Sequence, residues 1–195
     1  TDLMMKARPY AQSGSAAPFH IYGTKRIGEL YKRMRDVDDD CENLDDCVKL
    51  SEIYPFQPFS VLNYRVTPLR AAHDPAECCL IFLIEDEAGK TLLYGNDTAY
   101  FPEETWEQLR GRRLDLVSLD CTMGILGDGA THMGWNGDVR TKERLEAMGC
   151  VHDNTVFILN HFSHNCGHGL SHEEMEALAA PKGFLVACDG FTAEV

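Results

Sequence analysis

Three apolar runs between residues 92 and 161 are each followed by a polar residue that could bind a ligand. "LLYGND" ends at Asp97, "VSLDCT" contains Asp120, and "FILNH" ends at His161. These β-type runs alternate with helix-like segments such as "FPEETWEQLRG", and this order predicts an α/β layered domain. In such folds, ligands bind beyond the carboxyl ends of the strands. We therefore expect these three side chains to lie at one edge of the sheet.

The first half of the chain contributes further predicted elements. A strand is expected at residues 19–22, with a turn at Gly23 and a helix that begins near Thr24. "FSVLNYRVTPLRAAH" and "CCLIFLIEDEAGKTLLYGND" have the alternation of β-strands, and "EDEAGK" is typical of a hairpin turn.

Two more strands and two more helices are predicted in the second half. "NTVFILNH" and "GFLVACDGF" favour strands, while "GDVRTKERLEAMG" favours a helix with Asp138 or Thr141 near its start. In "LSHEEMEALAAPKG", Ser171 and Glu174 have the spacing of a capping box, which predicts a helix from this point.

Length and charge limit the class of protein and its partners. With 195 residues, 44% of them hydrophobic, the chain can form a real core, and we expect a single domain over residues 1–195. The net charge of -13 argues against nucleic acid as a partner, because binding to a phosphate backbone needs a basic face. No apolar run is long enough for a membrane span or a secretory signal, so we expect a cytoplasmic protein with reduced cysteines and no membrane partner.

Histidine and aspartate residues at strand ends are typical metal ligands. His73 ends another β-type run, "YRVTPLRAAH", and joins Asp97 and His161 as an ordered set that zinc, manganese or iron would accept. Each residue alone has a simpler interpretation, either a hydrogen-bonded loop histidine or a turn aspartate. The combination is what favours a metal site.

The segment "ILNHFSHNCGHGLSHEE" holds four of the eight histidines. His161 is the one that we expect to be a metal ligand. His164 is a candidate catalytic group that contacts the substrate from a loop, and its alternative is a loop histidine bonded to the backbone. We expect no function for His168 or for His172, which falls on the exposed first turn of a helix.

Taken together, these motifs resemble the metallo-β-lactamase fold hydrolases. The resemblance covers roughly residues 19–192 and depends on "YRVTPLRAAHDP", "TLLYGNDTAYFPEETWEQL", "LDLVSLDCTMG", "THMG" and "FILNHFSHN". It is strongest for the branch of the phosphoribosyl cyclic phosphodiesterase of phosphonate breakdown, and ribonuclease Z is a more distant relative. It implies an α/β fold, an αββα sandwich of which this chain holds mostly the C-terminal half.

The resemblance also implies roles for individual residues. His73 would bind one metal ion, Asp97 would bridge two, and His161 would bind the second. His132 in "THMG" would be catalytic, stabilising the scissile phosphate or protonating the leaving oxygen. Asp120 would orient a ligand histidine, with a turn or N-cap carboxylate as its alternative. The implied reaction is hydrolysis of a small, cyclic phosphodiester by water activated between two divalent ions, Zn or Mn.

One departure from the family pattern is large. The HxHxDH motif, which supplies most of the metal ligands, is absent, and no two histidines of the chain are separated by a single residue. We expect a fragment that begins downstream of this motif and that by itself binds metal weakly and catalyses poorly. The alternatives are a non-catalytic module, a ribonuclease Z-like enzyme, or a hydrolase of the same fold that acts on thioesters or lactams. The expected partners are a small phosphodiester and a second copy of the chain.

Overall fold

The computed structural model of the protein describes residues 18–37, 48–163 and 170–195. Contacts divide the chain into two compact units, Thr1–Tyr54 and Pro55–Val195. In the first unit, strands β1 (Phe19–Gly23) and β2 (Val48–Glu52) pair in parallel, and helix α1 (Lys25–Val37) lies between them in sequence. The predicted strand and helix of this region are confirmed. The single domain stays a prediction.

The second unit is built on one seven-stranded sheet, in which the strands follow one another in sequence order. Along the sheet, the first three pairings of neighbouring strands are antiparallel and the last three are parallel, and the fourth strand takes part in both kinds. The mixed α/β fold expected from the sequence is confirmed. The strands are β3 (Phe59–Val61), β4 (Tyr64–Arg70), β5 (Leu80–Glu85), β6 (Thr91–Gly95), β7 (Leu116–Asp120), β8 (Val156–Asn160) and β9 (Phe184–Val186).

Within the described residues, three α-helices accompany this sheet: α2 (Glu103–Leu109), α3 (Trp135–Ala147) and α4 (His172–Ala179). The apolar side chains that the helices bury join those of the sheet in one core, which burial of this apolar surface stabilises. The largest fully buried members include Trp106, Leu109 and Leu145 from the helices and Leu93, Leu119 and Leu159 from the strands.

The sheet topology brings several strand ends to one edge. Strands β4 and β6 run in the same direction, because each pairs antiparallel with β5. Strands β7 and β8 continue in that direction by parallel pairing. The residues that follow β4, β6, β7 and β8 therefore lie at the same edge of the sheet.

Some boundaries differ from the sequence-based prediction. The β-type run "FSVLNYRVTPLRAAH" forms two paired strands, with a turn at residues 62–63. Helix α3 begins at Trp135, earlier than expected, with Gly134 as its N-cap. A Cβ on Gly134 would lie 2.7 Å from the carbonyl oxygen of Gly124, so only glycine allows the loop this close to the helix start. The capping box of Ser171 and Glu174 is confirmed.

Two findings bear on the environment of the protein. No helix within residues 18–37, 48–163 and 170–195 is long and apolar enough to cross a membrane. The cysteines at described positions are free thiols: Cys78, Cys79, Cys121, Cys150 and Cys188.

Asp115 anchors the amino end of β7 and is buried. Its Oδ2 accepts a hydrogen bond from the N–H of Thr91 at 2.9 Å, and its Oδ1 accepts one from Nζ of Lys90 at 3.1 Å. His152 Nε2 lies 3.3 Å from the same Oδ1, without hydrogen-bond geometry. Burial raises the pKa of this carboxyl, but the Thr91 N–H and the Lys90 charge outweigh burial and hold the pKa below its ordinary value.

We expect Asp115→Asn to lower the free energy of unfolding by about 1–3 kcal/mol at neutral pH, because the amide loses part of this hydrogen bonding. The folded pKa lies below the unfolded pKa, so the carboxylate stabilises the fold above about pH 4, and the stabilisation is lost as the pH falls through the folded pKa. Urea unfolding across this range measures both effects. Asp153→Asn, at a nearby exposed site, is the control, and an Asp115→Asn protein with the wild-type acid dependence would contradict the prediction.

Candidate metal centre

Asp120, the last residue of β7, is fully buried and joins the loops of the site. Its Oδ2 accepts a hydrogen bond from the N–H of Thr98 at 2.9 Å, and its Oδ1 accepts one from the N–H of Thr122 at 2.9 Å. His132 Nδ1 lies 2.9 Å from Oδ2 and donates to it, since a carboxylate can only accept. The carboxylate therefore ties the ends of β6 and β7 to the loop that carries His132.

Three imidazoles from distant parts of the chain come together beside this carboxylate. His73 follows β4, His132 lies between β7 and α3, and His161 follows β8. The ring of His132 is 4.8 Å from that of His73 and 5.7 Å from that of His161, measured between ring centroids. The structure thus brings together three of the histidines singled out in the sequence.

Asp97 faces these rings from the end of β6. Its Oδ1 lies 3.6 Å from Nδ1 of His73, 3.8 Å from Nδ1 of His132 and 3.8 Å from Nε2 of His161. These distances are too long for hydrogen bonds. The side chain is 54% exposed, so the carboxylate oxygens remain available to bind a metal ion.

In the rings of His73 and His132, hydrogen bonding determines which nitrogen carries the proton, because each Nδ1 faces an oxygen that can only accept. His73 Nδ1 lies 3.1 Å from the carbonyl oxygen of Thr131, and His132 Nδ1 bonds Asp120. Each neutral ring therefore carries its proton on Nδ1 and has its lone pair on Nε2. Metal-binding histidines usually have this arrangement, with the second ring nitrogen bonded to a carbonyl or carboxylate.

The donor set fits a divalent cation. One donor atom from each of Asp97, Asp120, His132 and His161 can be chosen so that all four lie within 4.8 Å of one another. Nitrogen and carboxylate donors in this combination suit zinc or manganese. Because Asp120 and His132 bond each other, Asp97, His161 and the neighbouring His73 remain as the candidate ligands. Three ligands can hold one ion weakly, while a second ion of ordinary coordination number would need more.

A buried thiol and a buried carboxyl lie behind Asp120. Burial raises the pKa of the Cys121 thiol, and the nearby Asp138 raises it further. Burial also raises the pKa of the Asp138 carboxyl. Cys121 is thus protonated at neutral pH, which favours a structural thiol over a nucleophile.

The threonines that surround the site were not predicted from the sequence. Thr98 and Thr122 donate their N–H groups to Asp120, and the carbonyl of Thr131 accepts from His73. Each lies within or beside a motif recognised in the sequence, but no pattern there marks them as contacts. His164 lies outside the described residues, so its role stays a prediction.

Comparison with known proteins adds a family match. The model of a family described as "Beta-lactamase superfamily domain" matches residues 2–162. No curated protein sequence matches the chain. The predicted branch, that of the phosphoribosyl cyclic phosphodiesterase, stays a prediction.

Similar solved structures share the fold at low sequence identity. The metallo-β-lactamase fold protein YhfI from Bacillus subtilis has a TM-score of 0.63 and 20% identity, over 92% of this chain and 66% of that protein. Isothiocyanate hydrolase from Delia radicum gut bacteria has a TM-score of 0.63 and 12% identity, over 95% and 70%. Unliganded yeast PDE1 has a TM-score of 0.58 and 13% identity, over 89% and 59%. The chain therefore spans only part of the length of each.

We expect the chain to bind one divalent ion weakly at the rim formed by these residues. Asp97→Ala and His161→Ala should each weaken Zn²⁺ or Mn²⁺ binding by at least about tenfold, because each removes a donor. His20→Ala removes an exposed histidine of the first unit and should leave the affinity unchanged. Isothermal titration calorimetry measures these affinities. Equal affinities in all four proteins would show that the ion binds elsewhere.

Proposed function

The chain belongs to the β-lactamase superfamily, and from this premise we propose that it is a metal-dependent hydrolase of small, cyclic phosphodiesters. The observation that carries the proposal is the pairing of His132 with buried Asp120 directly beside the candidate ligands Asp97 and His161. This arrangement offers both a cation site and a separate imidazole for an oxygen of the substrate.

His73, Asp97 and His161 are the residues that would hold the metal, zinc or manganese, with Asp120 orienting His132 behind them. A bound divalent ion would supply Lewis acidity, which activates water and neutralises charge on phosphoryl oxygens. Two such ions are proposed for the active form, with further ligands from outside the described residues.

The proposed role of His132 follows from its hydrogen bond. Asp120 holds the Nδ1–H, which leaves Nε2 on the far side of the ring, with no hydrogen bond to any described residue. When protonated, Nε2 can donate to a phosphoryl oxygen or to the leaving oxygen, and the carboxylate of Asp120 stabilises the charged ring. The side chain is 21% exposed, so it is partly shielded from water yet accessible from the rim.

The charge of the protein favours a small substrate. A net charge of -13 repels polyanions, whereas a bound cation compensates the single charge of a small phosphodiester locally. A small phosphodiester is therefore the proposed partner. A cytoplasmic location and a homodimer stay predictions.

We expect His132→Ala to lower kcat for phosphodiester hydrolysis by about 10²- to 10⁴-fold, because it removes the proton donor. The metal content should stay unchanged. A panel of 2′,3′-cyclic nucleotides, aryl phosphodiesters, thioesters and β-lactams, assayed with Zn²⁺ and Mn²⁺, measures turnover, and elemental analysis measures bound metal.

His20→Ala is the matched control and should keep wild-type turnover. Unchanged turnover in His132→Ala, or loss of metal in parallel with turnover, would contradict the assigned role. Wild-type activity confined to thioesters or lactams would favour another hydrolase of this fold. Inactivity of the metal-loaded, full-length protein on the whole panel would favour a non-catalytic module.

A further inference from the structure

The side chain of Thr122 makes two short contacts with a single residue, His161. Thr122 is buried and lies two residues after Asp120, in the loop that follows β7. Its Oγ1 is 2.7 Å from Nδ1 of His161 and 2.7 Å from the carbonyl oxygen of His161. One hydroxyl therefore bonds both the ring and the backbone of the same residue.

The direction of these bonds follows from the number of protons. The hydroxyl has one proton, and the carbonyl oxygen of His161 can only accept, so the Thr122 O–H donates to that carbonyl. If the hydroxyl donated to the ring instead, two oxygen atoms without a proton between them would face each other at 2.7 Å. The Oγ1 lone pair therefore accepts from Nδ1–H of His161.

This arrangement fixes the tautomer of His161. With the proton on Nδ1, the lone pair of the neutral ring is on Nε2, the atom that lies 3.8 Å from Oδ1 of Asp97. Nε2 is thus the atom offered to the group of candidate ligands. The opposite tautomer would direct an N–H at that group and could not bind a cation there.

Two hydrogen bonds from main-chain N–H groups fix the backbone at Thr122 and at the residue before it. The N–H of Thr122 donates to Oδ1 of Asp120 at 2.9 Å, and the N–H of the preceding Cys121 donates to the carbonyl of Asn160 at 2.9 Å. The hydroxyl therefore has little freedom to move away from His161. Nδ1 of His73 bonds a carbonyl and Nδ1 of His132 bonds a carboxylate, whereas Nδ1 of His161 bonds the Thr122 hydroxyl. Oδ2 of Asp120 lies 3.5 Å from Nδ1 of His161, without hydrogen-bond geometry.

We propose that Thr122 is a positioning residue that locks His161 in the Nδ1-protonated tautomer, so that Nε2 is available to a divalent cation. The inference rests on the proposed function for the identity of the ligand at this site. The tautomer itself is a property of the metal-free chain, and it can be measured without activity.

The experiment uses the full chain, labelled with ¹⁵N-histidine, without metal and at about pH 8.5, well above the ordinary histidine pKa of about 6.5. Long-range ¹H–¹⁵N correlations distinguish the two tautomers, and His161→Ala assigns the signals. Wild type should show His161 protonated on Nδ1. Thr122→Val, which keeps the shape but not the hydroxyl, should shift His161 towards the Nε2-protonated form, and Thr122→Ser should restore the wild-type pattern.

Metal binding supplies the second readout. Thr122→Val should weaken Zn²⁺ affinity by about 10- to 100-fold, and Thr122→Ser should recover it. Thr155→Val is the matched control: its Oγ1 likewise donates to a carbonyl, that of Leu114, at 2.7 Å and accepts from the N–H of His152. Thr155 precedes β8 and His161 follows it, so the two residues lie about 20 Å apart at the usual rise per residue. The tautomer pattern and affinity of Thr155→Val should be those of wild type.

Two results would overturn the proposal. One is a wild-type protein with His161 protonated on Nε2, a result that needs no folded Thr122→Val variant. The other is a folded Thr122→Val that keeps both the wild-type tautomer and the wild-type affinity. The tautomer of His161 could change with the Thr122 variants as expected, while wild type neither binds metal nor hydrolyses any compound of the panel. In that case the proposed function is wrong, and the role of Thr122 in fixing the tautomer is supported.

Discussion

The hydrogen bonds to the buried carboxylate of Asp120 are the interactions on which the rest of the site depends. A buried charge is costly unless it is paired and hydrogen-bonded, and Asp120 satisfies this requirement with two main-chain N–H groups and an imidazole. Its partners belong to two loops, the one after β6, which holds Thr98, and the one between β7 and α3, which holds Thr122 and His132. Displacing any one of these partners would leave the charge of Asp120 without one of its hydrogen bonds, so the loops are held together. This also holds the three imidazole rings and the Asp97 carboxylate close to one another.

Much of the architecture could be predicted because it follows from local patterns. The hairpin around "EDEAGK", the late strands and the capping box of Ser171 and Glu174 all depend on neighbours in sequence, and the structure has them. The meeting of Asp97, Asp120 and His161 also follows from pattern, since strands that run in the same direction end at the same edge. Polar residues directly after such strands must therefore be near one another.

The remaining features depend on the path of loops, which no local pattern encodes. His132 lies in the loop between β7 and α3, so its position beside Asp120 is set by tertiary packing, and the resemblance alone pointed to it. The early start of α3 depends on the close approach of Gly134 to another loop. The hydroxyl of Thr122 has no distinguishing sequence signal, because a buried threonine that bonds a ring and one that bonds only backbone look alike.

The backbone at two strand ends explains why the donors converge. Asp97 and His161 have φ values of 59° and 60°, in the left-handed region, which costs a non-glycine residue about 1–3 kcal/mol. Neighbouring bonds offset this cost: the N–H of Met133 donates to the carbonyl of Thr98, and the hydroxyl of Thr122 donates to that of His161. An extended backbone at either position would continue the strand and carry the side chain beyond the rim. The left-handed residue instead turns the chain directly after β8 and two residues after β6, and it leaves both side chains within reach of the same group of rings. The local strain and the cluster of donors therefore have one structural cause.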